Sequence, residues 1–189
     1  MIRYAWGLLL ALAGLAALGP ATAVAQVPPV GASAQLHDAG GRLLATATFR
    51  QASDEVLINL VFPDRGALTG THGIQIHDVG RCDPPDFSSA GGIFNPTRKQ
   101  HGLLNPDGPM AGDVPSLVIG PIGVSGYNTT APLVTLSPGP ASLLKPGGTS
   151  LIIFAQPDDD LTQPDGQVGA RIACGVIVAG AAGATSTTA

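Results

Sequence analysis

The sequence predicts an all-β sandwich or barrel with many turns. Its 26 glycine and 17 proline residues are spread between short apolar runs and do not form one low-complexity tract. Apolar and polar residues alternate with a period of two along residues 43–50 and 56–62, as they do in strands that bury one face. After the N-terminal residues, no segment shows a helical period.

Further strand candidates are short apolar or alternating runs. They are residues 33–37, 73–79, 117–119, 132–136, 151–154 and 168–178. Residues 80–116 contain repeated Gly, Pro, Asn and Asp without alternation, and residues 155–167 are irregular as well. A connection as long as the first of these is usually functional or disordered.

The first 25 residues have the composition of a secretory signal peptide. Arg3 precedes an apolar run over residues 6–18, and Ala23, Val24 and Ala25 form a small-x-small cleavage site. The apolar run is shorter than the roughly 20 residues that cross a bilayer. We therefore predict cleavage near Ala25, export to the periplasm or the extracellular space, and no transmembrane segment in the mature chain. The mature domain would span residues 26–179, followed by a flexible tail over residues 180–189.

The cysteine count and the net charge further limit the class of protein that this sequence can encode. Cys82 and Cys174 are the two cysteines of the chain. In an exported protein we expect one disulfide between them, with two free thiols as the alternative. The formal net charge is −4, with nine Lys and Arg residues, so a basic patch for nucleic acid is not expected.

One predicted strand resembles half of a metal clamp. In GIQIHDVGRC, residues 73–82, Gln75 and His77 share a strand face because side chains at i and i+2 point the same way. A His-x-His pair in this arrangement can hold a metal ion through two imidazoles. Here the first of the two positions is Gln.

Four segments resemble the copper/zinc superoxide dismutases. They are HGIQIHDVGRC (72–82), DFSSAGGIFNP (86–96), KQHGLLNPDGPMAGDVPSL (99–117) and GARIACGVI (169–177), and they occur in the family's order. The resemblance implies an eight-stranded antiparallel Greek-key barrel with two long loops and a Cys82–Cys174 disulfide. It also implies that residues 80–116 form the metal-binding loop and residues 155–167 the electrostatic loop.

Most metal-ligand positions implied by the resemblance carry other residues. Ile and Phe side chains have no lone pair, and a Gln amide is a poor copper ligand. We therefore expect no bound cofactor, and we expect the apolar replacements to fill the former metal sites. The alternative is copper or zinc on the remaining candidate ligands His77, His101 and Asp113. The implied copper positions are Gln75, His77, Ile93 and Phe154, and the implied zinc positions are Ile93, His101, Met110 and Asp113.

Three more residues match other positions of the family. His72 matches a buried, hydrogen-bonding His of the barrel, with metal ligation as the alternative. Asp158 matches the carboxylate that links the two metal sites through their His ligands, with a solvated loop acid as the alternative. Arg171 matches the arginine that positions superoxide, with pairing to a nearby carboxylate as the alternative. Residues 155–170 contain four Asp and neither Lys nor Arg, so this loop would repel an anion.

Three functions are consistent with the sequence. The first is a secreted dismutase-like protein that lacks dismutase activity and has a binding or envelope role. The second is a metal-dependent redox enzyme, superoxide dismutase included, that uses His77, His101 and Asp113 with Met110 or Gln75. The third is a partner subunit that pairs with an active dismutase or with a second copy of itself.

Overall fold

A computed structural model describes residues 30–64, 68–120 and 126–181. Within these ranges the chain forms nine strands and one short 3-10 helix, Ser88–Ala90. The strands are β1 Val30–His37, β2 Leu43–Gln51, β3 Val56–Val61, β4 Gly70–His72, β5 Ile74–His77, β6 Leu117–Ile119, β7 Gly126–Ala131, β8 Thr149–Phe154 and β9 Arg171–Ala181.

Seven of these strands form one curled antiparallel sheet in the order β5-β8-β9-β1-β2-β3-β7, and β4 pairs with β6. The chain crosses from one end of the large sheet to the other between β3 and β5 and again between β7 and β8, as in Greek-key folds. Only Gly73 separates β4 from β5, so the nine segments make eight extended runs. The predicted all-β antiparallel fold is confirmed.

The barrel core is built from one face of each long strand. Buried and exposed side chains alternate along β2 and β3, with Phe49 and Leu60 buried. Ile74 and Ile76 of β5 belong to the same cluster, and each such side chain stabilises the fold by about 1.5–3 kcal/mol. Because successive side chains of a strand point to opposite faces, the residues that alternate with these two face the loops.

The disulfide connects the first long loop (residues 78–116) to the last strand. Cys82 and Cys174 are bonded with a Cα–Cα distance of 5.6 Å. The predicted disulfide is confirmed, and the alternative of two free thiols is wrong. The same loop runs along the edge of β5, where the Ile76 N–H donates to Gly112 O and the Phe94 N–H donates to Ile76 O, both at 2.9 Å. The loop thereby covers this edge of the sheet.

One predicted strand is displaced along the chain. Residues 132–136 were expected to be extended, whereas the strand is β7, Gly126–Ala131, which pairs with β3. Pro132 has no N–H for a ladder and marks the end of that strand. The polar sequence of β7 shows little apolar alternation, because this strand lies at the sheet edge.

The structure describes part of the predicted C-terminal tail but none of the predicted signal peptide. The signal peptide, residues 1–25, lies outside the described residues. At the other end β9 extends to Ala181, two residues into the predicted tail, and residues 182–189 lie outside the description. Among the helices of the described residues, none has the length and apolarity needed to cross a membrane.

Candidate functional site

The loop-facing side of β5 carries two buried polar side chains. Gln75 and His77 are 0% and 2% exposed, and each is paired in register with a residue of β8, Ile152 and Ser150 respectively. Phe154 at the end of β8 packs near His77, with ring centroids 5.8 Å apart. β5 thus contributes polar groups and β8 a largely apolar wall.

A continuous chain of hydrogen bonds joins Gln75 to three side chains from the two long loops. The second long loop comprises residues 155–170. Gln75 Nε2 donates to Asp158 Oδ2 at 2.7 Å, and Asp158 Oδ1 lies 3.0 Å from His101 Nε2. His101 Nδ1 lies 2.8 Å from Asp113 Oδ1. We call these four side chains the carboxylate network; it ties β5, the first long loop and the second long loop together.

His101 is the positive centre of the carboxylate network. Burial opposes a charged ring, but the hydrogen bonds and charges of Asp113 and Asp158 outweigh it and raise the pKa of His101 to about 10. Burial would likewise raise the pKa of Asp158, yet hydrogen bonds from His101, the Asp160 backbone N–H and Gln75 lower it. At neutral pH His101 is therefore an imidazolium that donates one N–H to each carboxylate.

The backbone completes the hydrogen bonding of Asp113. Its Oδ2 accepts from the N–H of Gly102 at 2.8 Å and of Met110 at 2.9 Å. Gly166, with φ +76°, leaves room for the network, because a Cβ there would overlap the Asp158 carboxylate and lie 2.8 Å from His101 Nε2. The packing of the second long loop on the first thus requires glycine at this position.

His77 is neutral and has one nitrogen without a partner. Burial lowers the pKa of His77 to about 4, and the charge of Arg171 adds to this. Its Nδ1–H donates to Gly91 O at 2.9 Å. Within the described residues its Nε2 has no hydrogen-bond partner. Arg171 donates to the same Gly91 O at 2.7 Å and to Phe87 O at 2.6 Å, so it is bonded to backbone carbonyls.

The side chains at the copper positions implied by the resemblance do not provide the donor atoms that copper needs. Copper that cycles between two oxidation states needs several imidazole or thiolate donors. His77 provides one imidazole, the amide nitrogen of Gln75 is bonded to Asp158, and Phe154 and Ile93 have no donor atom. A single nitrogen is not a copper site.

The side chains at the implied zinc positions do not provide a zinc site either. A zinc site takes four ligands, or three with water. His101 uses both ring nitrogens on carboxylates, so a metal could bind its ring only after one of these bonds is broken. Across residues 30–64, 68–120 and 126–181, no three His, Cys, Asp or Glu side chains are grouped so that they could hold a metal ion.

The apolar replacements fill the site only in part. Phe154 is 3% exposed and packs in a small cluster with Phe87 and Val168. The expectation that Ile93 and Met110 would also be core residues is wrong, since both are half-buried on the first long loop. Ile93 instead lines a cavity of about 220 Å³ beside His77. Its backbone forms an isolated bridge with His77 at the β5 edge, which keeps it at the rim.

The remaining expected residues lie at defined places. His72 is buried, and its ring nitrogens lie 2.8 Å from Phe154 O and 3.0 Å from Thr69 O, as a structural His would. The Asp158 side chain is 2% exposed, which does not fit a solvated loop acid. The neighbouring Asp159 bonds within its own loop, to the backbone N–H groups of residues 161 and 162.

Sequence reasoning missed one contact between the two loops. The Gln163 side chain accepts from the backbone N–H of His101 at 3.0 Å and donates to His101 O at 2.8 Å. A lone Gln in an irregular segment carries no pattern that would have predicted this. It fixes the main chain of the residue whose side chain is the centre of the carboxylate network.

The fold and the site define a class: antiparallel β-barrels whose first long loop is bonded to the last strand by a disulfide and meets a second long loop over the end of one strand. The family model described as copper/zinc superoxide dismutase (SODC) matches residues 43–177. The chain therefore belongs to the copper/zinc superoxide dismutase family.

Relatives of two kinds are similar to this chain. A copper/zinc superoxide dismutase from Aquifex aeolicus is 45% identical over 141 residues, which cover 72% of this chain and 81% of the relative. The superoxide dismutase-like protein YojM from Bacillus subtilis is 36% identical over 160 residues, covering 84% and 82%. A crystal structure of a SOD-like protein from Bacillus subtilis superposes with a TM-score of 0.69 at 35% identity, covering 77% of this chain and 97% of that one.

Proposed function

We propose that this protein is a member of the dismutase family that has lost most metal ligands, lacks dismutase activity, and has a binding or structural role in the cell envelope. The observation that carries the proposal is the carboxylate network. In it a protonated His101 lies between Asp113 and Asp158, where a metal site of the family would need a neutral imidazole.

Two physical arguments support the proposal. Metal binding requires ligands without their protons, so zinc at His101 would have to displace a proton that two carboxylates hold in place. Copper would have a single imidazole ligand, that of His77, beside an apolar wall that includes Phe154. Neither position offers the donors that a redox centre or a structural zinc needs.

Metal reconstitution followed by a rate measurement tests this proposal. The mature chain is incubated with copper and zinc and desalted, and its metal content and superoxide turnover are measured. The Aquifex aeolicus dismutase, treated in the same way, is the positive control. We expect substoichiometric metal and no turnover above that of free buffer. One tightly bound copper per chain together with catalysis would refute the proposal.

One observation favours an altered metal-dependent redox enzyme as the second candidate. His77 Nε2 has no hydrogen-bond partner among the described residues and lines a cavity, so it could bind one metal ion weakly. If this candidate is correct, His77→Ala abolishes copper binding measured by calorimetry. Unchanged affinity in His77→Ala would exclude it.

Export and pairing remain parts of the proposal. The disulfide suggests an oxidising environment, and we propose that residues 1–25 are removed during export. Intact mass of the protein recovered from the envelope or medium tests this, since a retained N-terminus would contradict it.

Light scattering on a sizing column tests self-pairing, and co-purification with an active dismutase tests the partner role.

A further inference from the structure

A cavity remains where the two long loops meet over the end of β5. Its volume is about 220 Å³, which is room for a small molecule of a few heavy atoms. Side chains from β5, β8, β9 and both loops line it. The ones that matter for recognition are Gln75, His77, Ile93, Phe154, Asp165 and Arg171.

Two side chains of this lining each carry a buried acceptor atom. The atoms are Gln75 Oε1 and His77 Nε2, and neither has a hydrogen-bond partner within the described residues. Both side chains are more than nine-tenths buried. Because buried polar atoms are almost always hydrogen-bonded, two unpaired acceptors on side chains that line one cavity favour an occupant that brings N–H or O–H donors.

The lining contributes donors and apolar walls as well. Arg171 uses two of its N–H groups on Phe87 O and Gly91 O, and a guanidinium has five, so N–H groups remain for an acceptor. Asp165 offsets part of the charge of Arg171. Ile93 and Phe154 add apolar surface.

This combination selects a neutral ligand. A small anion without protons could bind Arg171, but it has no N–H or O–H group to donate to the two acceptors. The charge of Arg171, which Asp165 offsets only in part, would weaken the binding of a small cation. A primary amide carries two N–H donors and one carbonyl acceptor without net charge.

We infer that this cavity is a binding site for small neutral molecules with a primary amide group, which donate to His77 Nε2 and Gln75 Oε1 and accept from Arg171. The inference rests on the proposed function, because a copper ion on His77 would occupy the same lone pair. It adds a ligand class to a site that has lost the family's metal donors.

Nuclear magnetic resonance of mature protein with ¹⁵N-labelled histidine tests the inference. The three probes are acetamide, acetone and acetate, which have almost the same shape. We expect acetamide to shift the Nε2 resonance of His77 in a saturable way, and we expect acetone and acetate to leave it unchanged. A response to acetate without one to acetamide would show an anion site and overturn the inference, as would no response to acetamide.

Two variants check that the response arises in the cavity. His77→Phe keeps a ring but removes one acceptor, so we expect acetamide to bind about tenfold more weakly, as followed through Gln75 side-chain amide signals. His37→Phe on β1, at a residue that does not line this cavity, is the matched control, with affinity within about twofold. Equal affinity in His77→Phe would contradict the assigned contact.

Copper titration of the same sample separates the two claims. If copper binds tightly at His77, the proposed function fails whatever acetamide does. If neither copper nor acetamide shifts the His77 signal, the ligand inference fails and the proposed function stands.

Discussion

Replacing His101 by Leu is expected to destabilise the protein strongly, because His101 carries the charge that holds two buried carboxylates together. Its ring is 0% exposed, and the side chains of Asp113 and Asp158 are each 2% exposed. Leu has a similar volume but neither donates a hydrogen bond nor carries a charge. The variant would leave two like charges facing each other without a cation.

The size of the effect can be worked out in two ways. Breaking a buried ion pair by removing one partner costs about 3–5 kcal/mol. The rise of the His101 pKa from 6.5 to about 10 corresponds to about 4 kcal/mol of stability at pH 7. Small domains have about 5–15 kcal/mol of unfolding free energy in total, so a loss of about 4 kcal/mol is a large fraction.

Urea denaturation followed by circular dichroism at pH 7 with a chelator present measures this loss. His37→Gln on β1 is the matched histidine control, for which we expect a change within about 0.5 kcal/mol. Asp158→Asn in the His101→Leu background should recover part of the stability, because it removes one of the two unpaired charges. A loss below about 1 kcal/mol in His101→Leu would refute the role assigned to the carboxylate network.

Three further outcomes are expected. The unfolding free energy should peak near pH 6.5 in urea titrations from pH 4 to 10. It should fall by about 2 kcal/mol by pH 4, because the folded-state pKa of His77 is lowered to about 4, and by about 3.5 kcal/mol by pH 10, because the folded-state pKa of His101 is raised to about 10. A profile that is flat from pH 6.5 to 10 would contradict the charge on His101. Reduction of the disulfide, which spans 92 residues, should lower the unfolding free energy by about 4–5 kcal/mol, and an unchanged urea midpoint in the presence of reductant would contradict this. The triple variant Gln75→His, Ile93→His and Phe154→His should bind copper stoichiometrically in a calorimeter, because it supplies three imidazoles beside the one present, whereas no gain of affinity would show that the site geometry does not follow the family.

The fold could be predicted from the sequence wherever a strand buries one face. Alternation predicted the extents of β2 and β3 to within two residues, because burial on one side imposes a period of two. The same reasoning failed for β7, a polar strand at the sheet edge with little apolar alternation. The two long loops were located correctly because strand signals stop at their ends.

The carboxylate network could not be predicted from the sequence. Gln75 and Asp158 are separated by 83 positions and His101 and Asp158 by 57, so their contact depends on the path of two irregular loops. A Gln at a position that the resemblance assigns to a ligand predicts the loss of an imidazole, but it does not predict that the amide donates to Asp158. Likewise, the sequence identifies Ile93 as apolar and does not show that it borders a cavity.

Elemental analysis of the protein purified from its own envelope or medium, without added metal or chelator, tests the central claim most directly. We expect copper and zinc well below one equivalent per chain, together with a urea midpoint at pH 7 that does not change when a chelator is added. Copper or zinc near one equivalent, with a midpoint that falls on chelation, would contradict the proposal that this chain has lost most metal ligands and holds a protonated His101 between two carboxylates instead.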